Sequence, residues 1–250
     1  MEKRFDINEL GYSVRCILYY NKDIHEIKDV VIATYGFGGT KENKATAKFA
    51  ERLVTKYKGF GVICFDWPCH GADARKKLIL EECITYLQLA IDYAKNEMKA
   101  ENLYSYTTSF GGFITLKYIA EHKNPFRKIA MRCPAIKMYD IMVQSISEED
   151  MAKLEKGKEI MAGHDRMLKI NRQFLEDLKA SDIRNNDYID YADDILILQG
   201  TKDEMVSIED TKEFAENNVI EMIPVENADH PFSNPSKMDF AIQKCVEFFG

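Results

Sequence analysis

The sequence predicts an α/β fold on a mostly parallel, doubly wound sheet, and two observations carry that prediction. Strand-like runs recur at residues 13–20, 29–34, 61–66, 103–107, 128–133, 195–199 and 219–224, and from residue 29 onward they are continuously apolar, as strands covered on both faces must be. Helical patterns alternate with them at 46–57, 78–98, 113–121, 208–217 and 235–249. In the longest of these, Cys83, Leu87, Ala90, Ile91 and Ala94 form one apolar stripe. Strand alternating with helix implies parallel pairing through right-handed crossovers.

A 250-residue chain of this kind is expected to be a single domain, 1–250, around one core. One stretch interrupts the rhythm. Residues 134–192 contain no convincing strand but two charged, Met-rich helical segments, 148–161 and 166–179, and read as a helical insertion between the strand-like runs 128–133 and 195–199. Met151, Met161, Met167 and Phe174 are its candidates for a flexible apolar lid over a pocket, although side chains of this type serve equally as ordinary packing.

Composition narrows the function. Hydrophobic residues make up 46% and charged residues 30%, a globular balance. The net charge of -7, with Lys interleaved among Asp and Glu, offers no basic field for nucleic acid. Residues 1–10 carry alternating charges rather than an apolar leader, and no later apolar run could span a bilayer, so a cytoplasmic location is expected. The six cysteines are scattered without a CxxC pair or zinc-finger spacing, which fits reduced, buried thiols and no metal. Cys69 is the exception to watch, lying in a polar loop.

Four segments carry chemistry. Thr107-Thr108-Ser109-Phe110-Gly111-Gly112 follows a strand and precedes a helix, the context of a strained turn that exposes a nucleophilic Ser at a helix N-terminus. A capping Ser followed by Gly for close packing gives the same local pattern. Tyr35-Gly36-Phe37-Gly38-Gly39 also follows a strand, and its glycines allow the backbone to turn amides toward a developing oxyanion. The dinucleotide and P-loop glycine patterns are absent there. Asp203 lies just past the strand-like run 195–199, and His230 just past 219–224, so both emerge on the strand edge where ligands collect in open α/β sheets. His25, His122 and His164 read as surface residues. An imidazole can take the proton of a Ser hydroxyl if an acid fixes its tautomer, which assigns Ser109 as nucleophile, His230 as base and Asp203 as orienting acid. Asp229 is the next candidate acid.

With these segments in chain order Ser, Asp, His, the sequence resembles the α/β-hydrolase family, in its soluble carboxylesterase branch with cinnamoyl-esterase-like and monoacylglycerol-lipase-like members. The likeness runs from about residue 29 to the end and includes Asp66-Trp67-Pro68-Cys69-His70-Gly71-Ala72-Asp73, similar to the family's D-x-x-G-H-G-x-S loop. Cys69 and Asp73 replace its usual Gly and Ser; Tyr35, Thr107 and Thr108 also depart from the family pattern. The resemblance implies an α/β-hydrolase fold, backbone oxyanion donors at Phe37 and Phe110, an architectural His70, and no cofactor. It implies a serine esterase for short-chain or small aromatic acyl esters, with a small-molecule substrate as partner and a homodimer allowed. Thioester or amide cleavage uses the same chemistry, and a hydrolase-fold binding protein without turnover is the alternative that the departures raise.

Overall fold

The computed structural model describes residues 1–163 and 166–250; His164 lies outside the described residues. The central sheet contains β1 (Glu2–Glu9), β2 (Tyr12–Tyr20), β3 (Asp29–Thr34), β4 (Phe60–Phe65), β5 (Asn102–Thr108), β6 (Lys128–Arg132), β9 (Ile195–Gly200) and β10 (Glu221–Val225). Their order is β1-β2-β4-β3-β5-β6-β9-β10. The antiparallel pairs are β1 with β2 and β2 with β4; the rest pair in parallel. β3, β4, β5 and β9 are buried almost throughout, because helices cover both faces of the sheet. α1 (Lys44–Lys56) packs against α8 (Pro235–Phe249), and α2 (Leu80–Asn96) packs against α3 (Phe110–Glu121).

Three strands lie outside the sequence expectation. β1 was hidden because it is an edge strand in which Ile7 alone is buried; its alternating charges, noted in the sequence only as the lack of an apolar leader, are what an exposed edge needs to discourage strand addition. The segment between β6 and β9 is not wholly helical. It holds α4 (Met138–Gln144), α5 (Glu148–Glu155), an antiparallel hairpin of β7 (Ile160–Ala162) and β8 (Leu168–Ile170), and α6 (Arg172–Ala180). Three-residue strands are too short to display a period, and Gly157, at φ +74, ends the helix expected to reach Met161. α7 (Ile208–Asn217) lies between β9 and β10.

The segment is built into the core. Leu154, Ile160, Leu168, Ile170, Phe174, Leu175 and Leu178 are all buried, and the Leu78 amide donates to the Lys169 carbonyl at 2.9 Å. No helix among the described residues is long and apolar enough to cross a membrane.

Candidate active site

Ser109 occupies the turn between β5 and α3 at φ 52 and ψ -117, a backbone that L-residues rarely adopt. The turn is held from both sides: the Ser109 amide donates to the Arg132 carbonyl at 3.1 Å, and its own carbonyl accepts from Gly112, Phe113 and Ala135. α3 can begin this close to the sheet because its first turn is glycine. A Cβ on Gly111 would lie 2.5 Å from Thr34 Oγ1, and one on Gly112 would lie 2.7 Å from Pro134 Cβ. Thr107, one of the departures from the family pattern, faces inward beside Gly111 and is buried.

The glycine loop after β3 lies against the serine, since a Cβ on Gly36 would approach Ser109 Cβ to 3.2 Å. Among the described residues, the amides of Phe37 and Phe110 donate to no protein group, and the two rings meet edge-on at 5.6 Å. They are free donors beside Ser109.

Buried groups below support this loop. His70 Nδ1 donates to the Pro68 carbonyl at 2.8 Å, which leaves Nε2 to accept from the Gly38 amide at 3.0 Å. Burial lowers the His70 pKa to about 4, so the ring stays neutral and keeps that acceptor. Tyr35 donates to Asp66 Oδ1 at 3.1 Å and accepts from the Trp67 amide at 3.1 Å. Asp66 also accepts from the amides of Lys41 and Ala72 and pairs with Lys41 Nζ at 2.6 Å, with both side chains buried. Tyr35 therefore takes up the supporting work that its departure from the family pattern had put in question. Asp73 holds the Cys69 amide at 2.9 Å and the Tyr86 hydroxyl at 2.7 Å, and burial pushes the Cys69 thiol up to about 12. Cys69 is an inert thiol.

Asp203 and His230 reach Ser109 from the loops after β9 and β10, on the same edge of the sheet. His230 Nδ1 donates to Asp203 Oδ2 at 2.8 Å, and Nε2 lies 3.0 Å from Ser109 Oγ. With Nδ1 carrying the proton, Nε2 is the acceptor of the Ser109 hydroxyl. Asp203 is immobilised by the amides of Met205 and Val206, at 2.9 and 2.8 Å, and by Gln199 Nε2 at 2.9 Å. Burial pushes its carboxyl upward, but His230, the Val206 amide and the Cys133 thiol outweigh that and hold it below the usual carboxylate range. Gly200 lets the two loops touch, since a Cβ there would lie 2.4 Å from the Ala228 carbonyl. Asp229 turns away to accept from the Ser233 amide at 2.7 Å. His25 and His122 are exposed.

These groups sit in a cleft of about 600 Å³. Its apolar lining is Phe37, Met138, Ile141, Met142, Met205 and Val206, and its polar lining includes Asn43, Thr108, Arg132, Glu204 and His230. None of the four lid candidates lines it. Met161 and Met167 point to solvent, at 48% and 47% exposed, because the hairpin alternates and Met161 falls on its outer face. Met151 packs half-buried against the core, and Phe174 is buried 6.5 Å from the Phe37 ring, beneath the loop rather than over the cleft. The methionines at the cleft come instead from α4 and the loop after β9.

Gln199, Cys133 and Arg132 escaped the sequence reading. Gln199 was detectable, being the one polar side chain in a strand covered on both faces, where it must find buried partners.

Residues 25–165, more than half of the chain, match the family described as serine aminopeptidase, S33 (Hydrolase_4). No curated protein matches in sequence. Est1E from Butyrivibrio proteoclasticus is similar in structure, with a TM-score of 0.80 at 18% identity over 98% of this chain and 97% of that one. A putative hydrolase from Agrobacterium vitis S4 aligns with a TM-score of 0.79 at 18% identity over 100% and 99% of the two chains. The monoacylglycerol lipase of Paleococcus ferrophilus aligns at 0.69 and 17% identity over 94% and 97%. At these identities the likeness is one of fold. The family match and the sheet order agree: the chain belongs to the serine aminopeptidase S33 (Hydrolase_4) family and has the α/β-hydrolase fold.

Proposed function

We propose that the chain is a serine hydrolase of carboxylic esters that acts on short-chain or small aromatic acyl groups through an acyl-enzyme. The observation that carries this reading is the continuous hydrogen-bonded relay from Ser109 Oγ through His230 to the buried Asp203, at the floor of an open cleft. In the proposed reaction His230 Nε2 takes the Ser109 proton as Oγ attacks the ester carbonyl. The oxyanion formed accepts from the Phe37 and Phe110 amides, each worth about 3 kcal/mol. On collapse His230 gives the proton to the leaving alkoxide, and water then repeats the sequence on the acyl-Ser109. Asp203 stays ionised, orienting the imidazole and stabilising its charged form.

The acyl assignment is supported by the apolar lining of the cleft, where Met138, Met142 and Met205 offer adaptable contacts to a small apolar group. The names of two similar folds bear on the reading: a structure of Est1E holds ferulic acid, a small aromatic acid, and a monoacylglycerol lipase is by name an ester hydrolase. The test is fluorophosphonate labelling together with turnover of 4-nitrophenyl esters from acetyl to lauroyl. Covalent labelling at Ser109 and a preference for short chains are expected, with Ser109→Ala losing labelling and Asp203→Asn losing about 10⁴ in kcat. Ligand binding with neither labelling nor turnover would instead identify a binding protein.

A further inference from the structure

Three buried cations lie among the described residues: Lys41, Lys117 and Arg132, at 7%, 8% and 5% exposed. Lys41 is paired with Asp66 and Lys117 with Glu121. Arg132 has no carboxylate within ion-pair distance among the described residues. Its Nη1 donates to the His230 carbonyl at 3.3 Å and its Nη2 to Thr108 Oγ1 at 3.4 Å, both long for bonds from a charged donor, and its Nε is buried without a partner. The buried Tyr106 hydroxyl lies close to the guanidinium, and the Phe232 ring is 5.2 Å from its central carbon; neither is an anion. A guanidinium cannot shed its proton, so burying it unpaired carries a desolvation cost that a neutral carbonyl and a hydroxyl do not offset.

The position of this charge gives it meaning. Arg132 ends β6 in register with Thr108, the residue before Ser109, and lines the cleft with Asn43, Thr108, Glu204 and His230. Asn43 and Ala45 bring the N-terminus of α1 to the same cleft, and no acidic residue stands in its first turn, so the helix dipole adds a positive contribution. Glu204, the carboxylate that lines the cleft, is exposed and accepts from the His230 amide at 3.3 Å rather than from Arg132.

We infer that Arg132 receives a carboxylate carried by the substrate, so that the ester cleaved at Ser109 is an anionic one. This rests on the reading of Ser109 as an ester-cleaving nucleophile. The carboxylate supplies the missing counter-ion where the guanidinium meets the cleft, and anchors the substrate there while its apolar part lies against Met138 and Met142.

The experiment compares two matched pairs of esters: 4-acetoxybenzoate with 4-acetoxybenzamide, charged or uncharged on the alcohol side, and mono-4-nitrophenyl adipate with its methyl ester, charged or uncharged on the acyl side. In at least one pair the wild-type protein should prefer the anion by about 10- to 100-fold in kcat/KM, chiefly through KM. Arg132→Gln should abolish that preference and Arg132→Lys should restore part of it. Turnover of the uncharged esters with no preference for the anion in either pair overturns the inference and leaves the esterase reading standing. An equal loss on charged and uncharged members in Arg132→Gln also overturns it, since that is what mere support of the His230 loop would give. If Arg132→Gln does not fold, the wild-type preference decides alone. Absence of turnover on all four esters, with no fluorophosphonate labelling, removes the esterase reading and this inference with it.

Discussion

Ser109 holds a positive φ that its side chain makes costly, and the surrounding bonds to Arg132, Gly112, Phe113 and Ala135 maintain it. Such a backbone stores about 1 to 3 kcal/mol. Glycine would adopt it freely, so Ser109→Gly is expected to stabilise the fold by about 1 kcal/mol, or roughly 2 to 4 °C in a chain of this size, while ending turnover. Thermal unfolding monitored by circular dichroism tests this, and a lower Tm in the variant would mean that the turn is not strained. Arg132 and Gln199 make the complementary point at the same scale. Each is a polar side chain at or near the end of an apolar strand, a position that marks a site only when its partner is known, and no partner can be read from a single strand. Ser109, Asp203 and His230 were legible because each follows its own strand on the same sheet edge; their mutual distances were not.

Among the elements, the two loops after β3 and β4 act together, because the neutral ring of His70 carries the Gly38 amide. Protonated at Nε2, that ring would face an amide donor with a donor of its own. The folded state therefore prefers the neutral form: the His70 pKa falls from an ordinary 6.5 to about 4 through burial. Stability from this group is complete above the ordinary value and is lost as pH falls from 6.5 toward 4, by roughly 3 kcal/mol. His70→Gln removes the titration, and its Tm should decline less steeply than the wild type's across that window; parallel curves would refute the linkage. The core strands were visible in sequence as continuous apolar runs, and α7 and α8 were found at their observed limits. The edge strand β1 and the β7–β8 hairpin were not, since the first buries almost nothing and the second is shorter than the period that would reveal it. Four lid residues were misassigned for a related reason: Met and Phe at helical spacing look alike whether they cover a pocket, fill a core or face water.

At the scale of the molecule, the segment between β6 and β9 is part of the framework. Its seven large buried side chains, Leu154 to Leu178, each contribute about 1.5 to 3 kcal/mol, against a total stability of about 5 to 15 kcal/mol for an ordinary protein. Replacing residues 151–178 with a Gly/Ser linker should therefore leave a chain without a cooperative thermal transition. A folded, active deletion variant would show that the segment is a detachable cover. The six cysteines extend this view of the whole. Cys16 lies in β2, Cys64 in β4, Cys69 in the loop after β4, Cys83 in α2, Cys133 just beyond β6 and Cys245 in α8; all are reduced and buried, and burial raises every thiol. A small alkylating reagent can reach any of them only when the element around it opens. The native chain thus contains six silent timers, and the order in which they are consumed would map the sequence of its breathing, with Cys133, beside Asp203, timing the moment at which the support of His230 comes apart.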